Sequence, residues 1–408
     1  MMTSETQSRG TQPIEAQRQD VSTASATSVR RVFSVDVLMG LVLMLLALDY
    51  SRDFLSKAQF LPLDLRYTNF PFFMTRWMTH FAAPMMIFLG GIYAQLRLLG
   101  GVSKTDLAKF LVVRGLILIL IDVFLVSFGW TFSVSMPIML QVLWVLGASM
   151  MLLGGLVLLP FWVAPVLGLV LIGGHNLFDA TSNTAASHHQ GLFAVLLHGY
   201  GRVKLMGHSM FVLYPIVPWV GVMALGYAMG RFYSYDINLR KRAFYLVGGG
   251  AVLVFLVLRW INGYGDPDPW YPRDSFLFTV LSFLNTSKFP PSLDYLLMTL
   301  GPGMMLLAWL EGKENRILNI PATFGRVVVF FYVAVVYLIH LIAVLVAFLQ
   351  GYHIRDLLVP VWLYPKAYGL DLASVYGVWL VLLVLMFVLC RWYGMRKSSN
   401  GAKLLQYL

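Results

Sequence analysis

The chain has 408 residues, of which 59% are hydrophobic and 12% are charged, against about 25% charged in typical soluble domains. So few charges cannot cover a water-soluble fold of this length, and that class is excluded. The net charge of +11 comes from basic residues that flank apolar runs, where they orient helices and meet anionic headgroups. Because no nucleic-acid recognition motif accompanies them, we expect the lipid bilayer as a partner and no nucleic acid. The single cysteine, Cys390, excludes an intramolecular disulfide.

The amino-terminal segment is polar. Residues 1–29 are rich in Ser, Thr and Gln and lack the apolar stretch of about 7 to 15 residues that a signal peptide needs. We therefore predict a disordered cytoplasmic tail over residues 1–29, with the first hydrophobic helix as the uncleaved insertion signal.

The rest of the chain contains apolar runs long enough to cross a membrane, which takes about 20 residues in a helix. Backbone groups in hydrocarbon must be satisfied internally, so these runs are helices rather than strands. The predicted fold is an all-α polytopic membrane helix bundle of about ten transmembrane helices. The weakest boundary separates the fourth segment from the fifth, where only Gly154, Gly155 and Pro160 interrupt the run. The segments are residues 35–51, 80–98, 110–130, 137–154, 156–174, 211–232, 243–260, 293–310, 327–350 and 372–392.

The basic residues predict the orientation of these helices. With the N-terminus inside, more than half of the 30 Lys and Arg residues fall on the inner side, as the positive-inside rule requires. An even number of helices then places both termini in the cytoplasm, in an integral multi-pass protein of the cytoplasmic membrane. The outer loops, over residues 52–79, 175–210 and 261–292, carry most of the eight histidines, so we expect the chemistry at the outer face.

Several stretches carry a family resemblance. The chain opens with RRVFSVDVLMGLVLMLLALDYSRDF and TRWMTHFAAPMMIFLGG, and later contains VLYPIVPWVGVMALGYAMGR, LRWINGYGDPDPW, SFLNTSKFPPSLDYLLMTLGPG and YLIHLIAVLVAFLQG. These stretches resemble bacterial membrane proteins related to the heparan-α-glucosaminide N-acetyltransferase catalytic domain. The opening pattern of that family corresponds here to Arg31, Ser34, Asp36, Gly40 and Asp49.

The resemblance implies a multi-pass enzyme that moves an acetyl group from acetyl-CoA onto a sugar amine or hydroxyl, with a small-molecule or glycan acceptor. Independently of the resemblance, we expect no metal, because the sequence shows no metal-ligand spacing. The resemblance also implies an active histidine in the outer loop after the first helix. Here no histidine lies between Asp49 and His80, and Tyr50 stands where the bacterial relatives are expected to carry one. Either His80 supplies the base, or the activity is altered or lost.

The resemblance divides the chain into three parts. Residues 1–29 form the tail and residues 30–351 form a transmembrane acyltransferase-like domain. Residues 352–408 comprise an outer loop, the final transmembrane helix and a cytoplasmic tail. A homo-oligomer is left open.

Three charged residues close the first helix. Asp49, Arg52 and Asp53 are spaced i, i+3 and i+4, so they share a helix face and Arg52 can pair with either carboxylate. This pattern predicts an acceptor-sugar site or a carboxylate that orients a histidine. The alternative is a solvated helix end with a local ion pair, worth less than about 1 kcal/mol.

A second pair lies at the outer entrance of the next helix. Arg76 and His80 are four residues apart, and a nearby guanidinium favours the neutral imidazole that a general base requires. We therefore predict His80 as the catalytic base and Arg76 as a substrate-binding residue. The alternative is an interfacial arginine with its charge in the headgroup region and a histidine bonded to a loop.

Two ionisable residues inside predicted transmembrane segments are further candidates for the functional site. His340, in the middle of the ninth segment, is a candidate because an ionisable group at that depth is costly when charged. A neutral histidine bonded to Tyr337 or to a facing helix is the alternative. Asp122 in the third segment is similar, with Arg114 as a candidate counter-ion.

The outer loops contribute further candidates. His175 begins the second outer loop, and Lys288 with Asp294 brackets the FPPS stretch; each is a candidate substrate-binding residue or an interfacial anchor. His188 and His189 suggest a metal, but no carboxylate or cysteine follows at ligand spacing.

The donor-binding residues remain open at this point. The basic triplet at residues 240–242 could meet the phosphates of a CoA-type donor, or could be ordinary positive-inside charge. The predicted function is a membrane-embedded acyltransferase with His80 as base and Asp49 as its orienting carboxylate. A transporter or flippase, with Asp122 and His340 as a buried proton relay, is the alternative, and a non-catalytic scaffold is a third.

Overall fold

The computed structural model describes residues 31–58, 60–178, 192–205 and 207–399, and these residues are mostly helical. The predicted tail, residues 1–29, and the metal candidates His188 and His189 lie outside the described ranges. The helices are α1 (Phe33–Leu55), α2 (Phe70–Thr79), α3 (Ala82–Leu99), α4 (Lys104–Thr131, with a π-helical turn at Ile121–Val126), α5 (Val142–Leu158), α6 (Val163–Gly174), α7 (Leu192–Leu197), α8 (Ile216–Gly230), α9 (Ile237–Ile261), α10 (Phe276–Leu284), α11 (Leu293–Leu310), α12 (Asn319–Gly325), α13 (Val328–Leu349) and α14 (Leu372–Ser399).

Each of the ten predicted apolar segments contains a helix. Among the described residues, seven helical stretches have the length and composition to cross a bilayer: α1, α2 together with α3, α4, α9, α11, α13 and α14. The helices α5 and α6 are apolar but shorter. The predicted class, an all-α membrane bundle, is confirmed, while the number of crossings and the inside position of both termini stay predictions.

The weak boundary between the fourth and fifth segments is a real break. Leu159 is extended, with φ −77° and ψ 170°, and ends α5. The residue that precedes a proline is disfavoured in the helical region, and Pro160 follows directly. The run therefore forms two helices, Val142–Leu158 and Val163–Gly174.

Two features of the loops predicted to lie at the outer face were not expected from the sequence. The helix α2 begins at Phe70, well before the predicted start at residue 80, and only His80 and Phe81, both with helical dihedral angles, separate it from α3. A three-stranded sheet comprises β1 (Ile138–Leu140), β2 (Gly201–Leu205) and β3 (His208–Val212), in the order β1-β3-β2. β3 pairs in parallel with β1 and antiparallel with β2, so the predicted sixth segment starts as a strand and becomes helical only at Ile216.

Helix α1 lies at the centre of the bundle. It contacts α2, α3, α11, α12, α13 and α14, whereas α9 and α14 keep most of their surface exposed. Gly40 permits the closest of these contacts, because a Cβ added there would lie 1.7 Å from the carbonyl oxygen of Pro321 in α12. Small residues allow such backbone approach between membrane helices.

Candidate active site

A cavity of about 230 Å³ lies where the carboxyl-terminal ends of α1 and α2 meet the start of α5 and the segment between α10 and α11. We call it the outer cavity, after the predicted orientation of the helices. Aromatic side chains form much of its wall, and four charged side chains face it. A small, mostly apolar cavity with a few converging polar groups is the usual form of a ligand site. The aromatic members are Tyr50, Trp130, Tyr214, Phe289 and Trp362, and the charged members are Asp49, Asp53, Arg76 and Lys288.

Asp49 is the centre of the charged group. The residue is 6% exposed, and its carboxylate accepts hydrogen bonds from Arg76 Nη1 at 2.7 and 2.8 Å and from the Thr79 hydroxyl at 2.7 Å. Arg52 Nη2 lies 2.7 Å from Oδ1 and Lys288 Nζ lies 3.7 Å from Oδ2. Three cations therefore surround one buried carboxylate, which fixes its orientation.

The second carboxylate at the end of α1 belongs to the same group. Arg52 Nη2 lies 2.5 Å from Asp53 Oδ1 and 2.7 Å from Asp49 Oδ1. The helix end thus holds the ion pairs that its i, i+3 and i+4 spacing predicts. Arg52 is buried, so its charge is shared between two carboxylates rather than exposed to water.

Lys288 enters the cavity from the segment between α10 and α11. Burial and the positive charge of Arg76, partly offset by Asp49 and Asp53, lower the pKa of its ammonium to about 7. Its Nζ lies 5.2 Å from the centre of the Phe289 ring. A substantial share of Lys288 is therefore a neutral amine near pH 7, a form able to accept a proton.

Two residues hold the segment that carries Lys288. The carboxylate of Asp266 accepts hydrogen bonds from the Ser287 amide at 2.8 Å and from the Ser292 hydroxyl at 2.6 Å. On the other side, His175 Nε2 lies 2.7 Å from the Pro291 carbonyl oxygen, and its Nδ1 lies 2.8 Å from the Ile172 carbonyl oxygen. His175, predicted as a substrate-binding residue, is placed behind this segment and outside the cavity lining.

His80 is fully buried and does not line the cavity. Its ring contacts that of Tyr295, with 5.3 Å between centroids, and within the described ranges neither ring nitrogen has a hydrogen-bond partner. The Tyr295 hydroxyl donates to the His80 carbonyl oxygen at 2.9 Å. His80 follows α2 directly and keeps helical dihedral angles, with φ −60° and ψ −29°, but its ring packs on Tyr295 and does not reach the cavity that Arg76 lines.

The two intramembrane candidates bind backbone groups. His340 Nδ1 lies 2.8 Å from the Gly129 carbonyl oxygen and Nε2 lies 3.0 Å from that of Leu357, with the ring stacked on Phe132. The Tyr337 hydroxyl donates instead to the Leu125 carbonyl. His340 thus joins α13 to α4 and to the following loop, outside the lining of the outer cavity.

Asp122, in the π-helical turn of α4, also binds backbone and faces the start of α5. Its Oδ2 accepts a hydrogen bond from the Gln141 amide at 2.7 Å, next to the first free amides of that helix. A carboxylate is favourable at the amino end of a helix, where amide groups have no intrahelical partner. Asp122 and His340 therefore each link neighbouring elements of the fold through hydrogen bonds to backbone groups.

The remaining candidates have structural partners. Asp294 is fully buried at the start of α11, with Oδ2 3.9 Å from Arg259 Nη1. In the basic triplet, Arg240 Nη2 lies 2.7 Å from Oε2 of the buried Glu311. Cys390 is buried in α14.

A second cavity, of about 460 Å³, lies toward the opposite ends of α1, α3, α4 and α5. We call it the inner cavity, again after the predicted orientation. Five cationic side chains line it, with Asp36 as the carboxylate among its lining residues. Asp36 accepts a hydrogen bond from the Tyr93 hydroxyl at 2.7 Å and lies 3.5 Å from Arg326 Nε. The five cations are Arg31, Arg97, Arg114, Arg326 and Lys397. Such an excess of positive charge fits a phosphate-bearing ligand.

Sequence reasoning missed several residues of both cavities. Tyr214 occurs in the stretch VLYPIVPW, but nothing in that stretch alone assigns it a role. Tyr50 donates from its hydroxyl to that of Tyr332 at 2.6 Å and contacts Trp130 edge-on. Arg114, predicted as a candidate counter-ion of Asp122, lines the inner cavity instead, and Asp122 binds the Gln141 amide. Within the described ranges, no cluster of three or more His, Cys, Asp or Glu residues could hold a metal ion.

The comparison with family models decides the family. Residues 31–258 match the family described as "Heparan-alpha-glucosaminide N-acetyltransferase, catalytic". The chain belongs to this family. A search of curated proteins found no match. The chain is thus an integral membrane protein of a membrane acetyltransferase family, whose donor is acetyl-CoA.

The acetyltransferase match covers part of each cavity. It includes Asp49 and Arg76 at the outer cavity and Arg97 and Arg114 at the inner cavity, whereas Lys288 lies beyond its end. The two clusters of this acetyltransferase-family chain are therefore completed by parts of the chain outside the matched range.

Proposed function

We propose that this protein transfers an acetyl group from acetyl-CoA, held from the inner side, to the amine or hydroxyl of a sugar at the outer face. One observation carries the proposal: a basic cavity and an Asp49-centred cavity share the walls of α1, α3 and α5. The family supplies the reaction class, and the two cavities supply a place for each substrate.

The two cavities are close together along the shared helices. On α1, Met39 lines the inner cavity and Leu46 the outer one, which corresponds to about 10 Å at 1.5 Å per residue. On α3, Met86 and Ala83 are three residues apart, or about 5 Å. A thin apolar layer therefore separates them, and a thioester at the end of a flexible arm has only this layer to cross.

The inner cavity suits the donor. Guanidinium groups bind phosphates through paired hydrogen bonds, and Arg97 and Arg114 lie on α3 and α4 at this cavity. Its deeper wall is apolar, with Met39, Met86 and Met150. We assign the phosphates of CoA to the basic end and its uncharged arm to the methionine wall.

The outer cavity suits a sugar acceptor. Its volume of about 230 Å³ is small, and aromatic side chains lie beside charged groups, as amphipathic ligands require. Asp49 is held by Arg76 and Thr79, so we assign it an orienting role toward an acceptor hydroxyl or amine. We assign Asp53 and Arg52 to binding of the acceptor as well.

Lys288 is the side chain in this cavity that we assign as the proton acceptor. In its neutral form it takes the proton of the acceptor as the acceptor's oxygen or nitrogen bonds to the thioester carbon. Arg76 faces the developing oxyanion. The carbon–sulfur bond then breaks, and the Lys288 ammonium returns the proton to the leaving sulfur. His80 remains the other candidate base, one turn after Arg76.

A direct assay tests this function. Purified protein with labelled acetyl-CoA and a panel of amino and neutral sugars is expected to give an acetylated sugar. Asp49→Asn is expected to reduce the rate by at least about 100-fold, while Arg242→Gln, at an exposed inner position, serves as the matched control. Sugar uptake without acetylated product would contradict the proposal and favour the transporter.

A further inference from the structure

A third cavity lies at the inner end of α14. It has a volume of about 790 Å³ and lies between α12 and α14, beside the start of α1. We call it the basic groove. Its polar lining residues are Arg31, Arg316, Asn319, Thr323, Arg326, Arg391 and Lys397, and its apolar ones include Ile320, Val327, Phe387, Cys390 and Met395.

The basic groove carries uncompensated positive charge. Five of its lining side chains are cationic, and no carboxylate is among its lining residues in the described ranges. Asp36 lies near Arg31 and Arg326, but Arg316 and Arg391 have no ion-pair partner within those ranges. Like charges at close quarters repel, so this arrangement favours an anion from outside the chain.

The position of the basic groove indicates which anion. Most of the surface of α14 is exposed, and Ile320 and Met395 are exposed apolar residues beside the cations. Under the predicted orientation this is the inner membrane surface. Basic pockets between transmembrane helices on that side bind anionic lipid headgroups.

We propose that the basic groove binds an anionic phospholipid of the inner leaflet, with its phosphate on Arg316, Arg391 and Lys397 and its acyl chains against Ile320 and Phe387. The phosphates of free acetyl-CoA have the same chemistry. Arg316 and Arg391 line the basic groove and not the inner donor cavity, so they distinguish the lipid from the donor. The proposal does not depend on the acetyltransferase activity.

Native mass spectrometry of the full chain, purified with phosphatidylglycerol and phosphatidylcholine in equal amounts, tests the proposal. The wild type is expected to retain phosphatidylglycerol. Each basic residue near an anionic lipid contributes about fivefold in affinity, so Arg316→Gln with Arg391→Gln is expected to weaken retention about 25-fold. The control, Lys241→Gln with Arg242→Gln, removes two charges elsewhere on the inner side and is expected to retain the lipid.

Three outcomes would overturn the proposal. They are equal retention of both lipids, equal loss in the control variant, and a loss of acetyl-CoA affinity in the Arg316→Gln and Arg391→Gln variant as large as its loss of phosphatidylglycerol. The last outcome would assign the basic groove to the donor. Arg316 and Arg391 are exposed, so folding is expected to survive. Should the double variant not fold, Arg391→Gln alone is expected to give about a fivefold loss, and an unchanged affinity would refute the site.

Discussion

Replacing Lys288 by arginine keeps a positive charge in the outer cavity but removes the ability to give up a proton, because a guanidinium stays charged at any accessible pH. Replacing it by methionine removes both the charge and the proton acceptor. If Lys288 is the base, both variants lose activity. If Lys288 only contributes charge, for instance to bind the acceptor, the arginine variant stays active.

The pKa of Lys288 gives the magnitude. With the pKa lowered to about 7 by burial and by Arg76, roughly one lysine in ten is neutral at pH 6 and nine in ten at pH 8, since one unit is a tenfold ratio. The neutral form is the active one, so the rate is expected to fall tenfold per unit below pH 7 and to level above it. General base catalysis contributes about 100- to 10,000-fold, which is the loss expected for either variant.

The assay is the pH dependence of kcat/KM for sugar acetylation between pH 5.5 and 9, with His80→Gln measured beside the Lys288 variants. The His80 variant is expected to keep the inflection near pH 7. An active Lys288→Arg enzyme with an unchanged pH profile would refute Lys288 as the base. Loss of the inflection in His80→Gln would transfer that role to His80.

Three further variants test the packing and the two substrate sites. Gly40→Ala is expected to cost about 3 kcal/mol of stability or more in a denaturation assay, because its Cβ would lie 1.7 Å from the Pro321 carbonyl oxygen. Gly249→Ala, whose Cβ would meet nothing within 4 Å, is the control and should be neutral or slightly stabilising. Arg114→Gln is expected to raise KM for acetyl-CoA at least about tenfold with little change in kcat, because charge-assisted hydrogen bonds contribute about 1.5–3 kcal/mol; an unchanged KM would remove the donor from the inner cavity. Asp49→Asn is expected to lower stability by about 3 kcal/mol, since it leaves buried cations without their carboxylate; unchanged thermal unfolding would show that the cations find other partners.

The sequence predicts the helices well because an apolar run of membrane-spanning length forms a helix independently of the rest of the chain. It predicts the Arg52 ion pairs for the same reason, since Asp49, Arg52 and Asp53 belong to one continuous helix. Arg76 and His80 are both helical, but only Arg76 lines the cavity, because the His80 ring packs on Tyr295 instead. A four-residue spacing therefore did not place both side chains in the cavity.

Residues from distant parts of the chain could not be assigned in this way. Lys288 reaches Asp49 across more than two hundred residues, and only the packing of α11 against α1 and α3 brings them together. The inner cavity is similar, because Arg114 and Lys397 come from α4 and α14. In the sequence, Arg114 lies within the third apolar segment and Lys397 follows the tenth. That they line one cavity is a property of the tertiary fold.

The buried polar groups of the bundle fall into two classes that hydrophobicity alone does not separate. Asp122 and His340 bind backbone groups at helix ends and joints, so they stabilise irregular backbone within the membrane, where unpaired groups are costly. Asp49 and Lys288 bind side chains and face a cavity. A proton relay needs groups that can exchange partners, and backbone carbonyls bound to His340 are fixed acceptors. The distribution of partners therefore favours chemistry at the outer cavity over ion-coupled transport through Asp122 and His340.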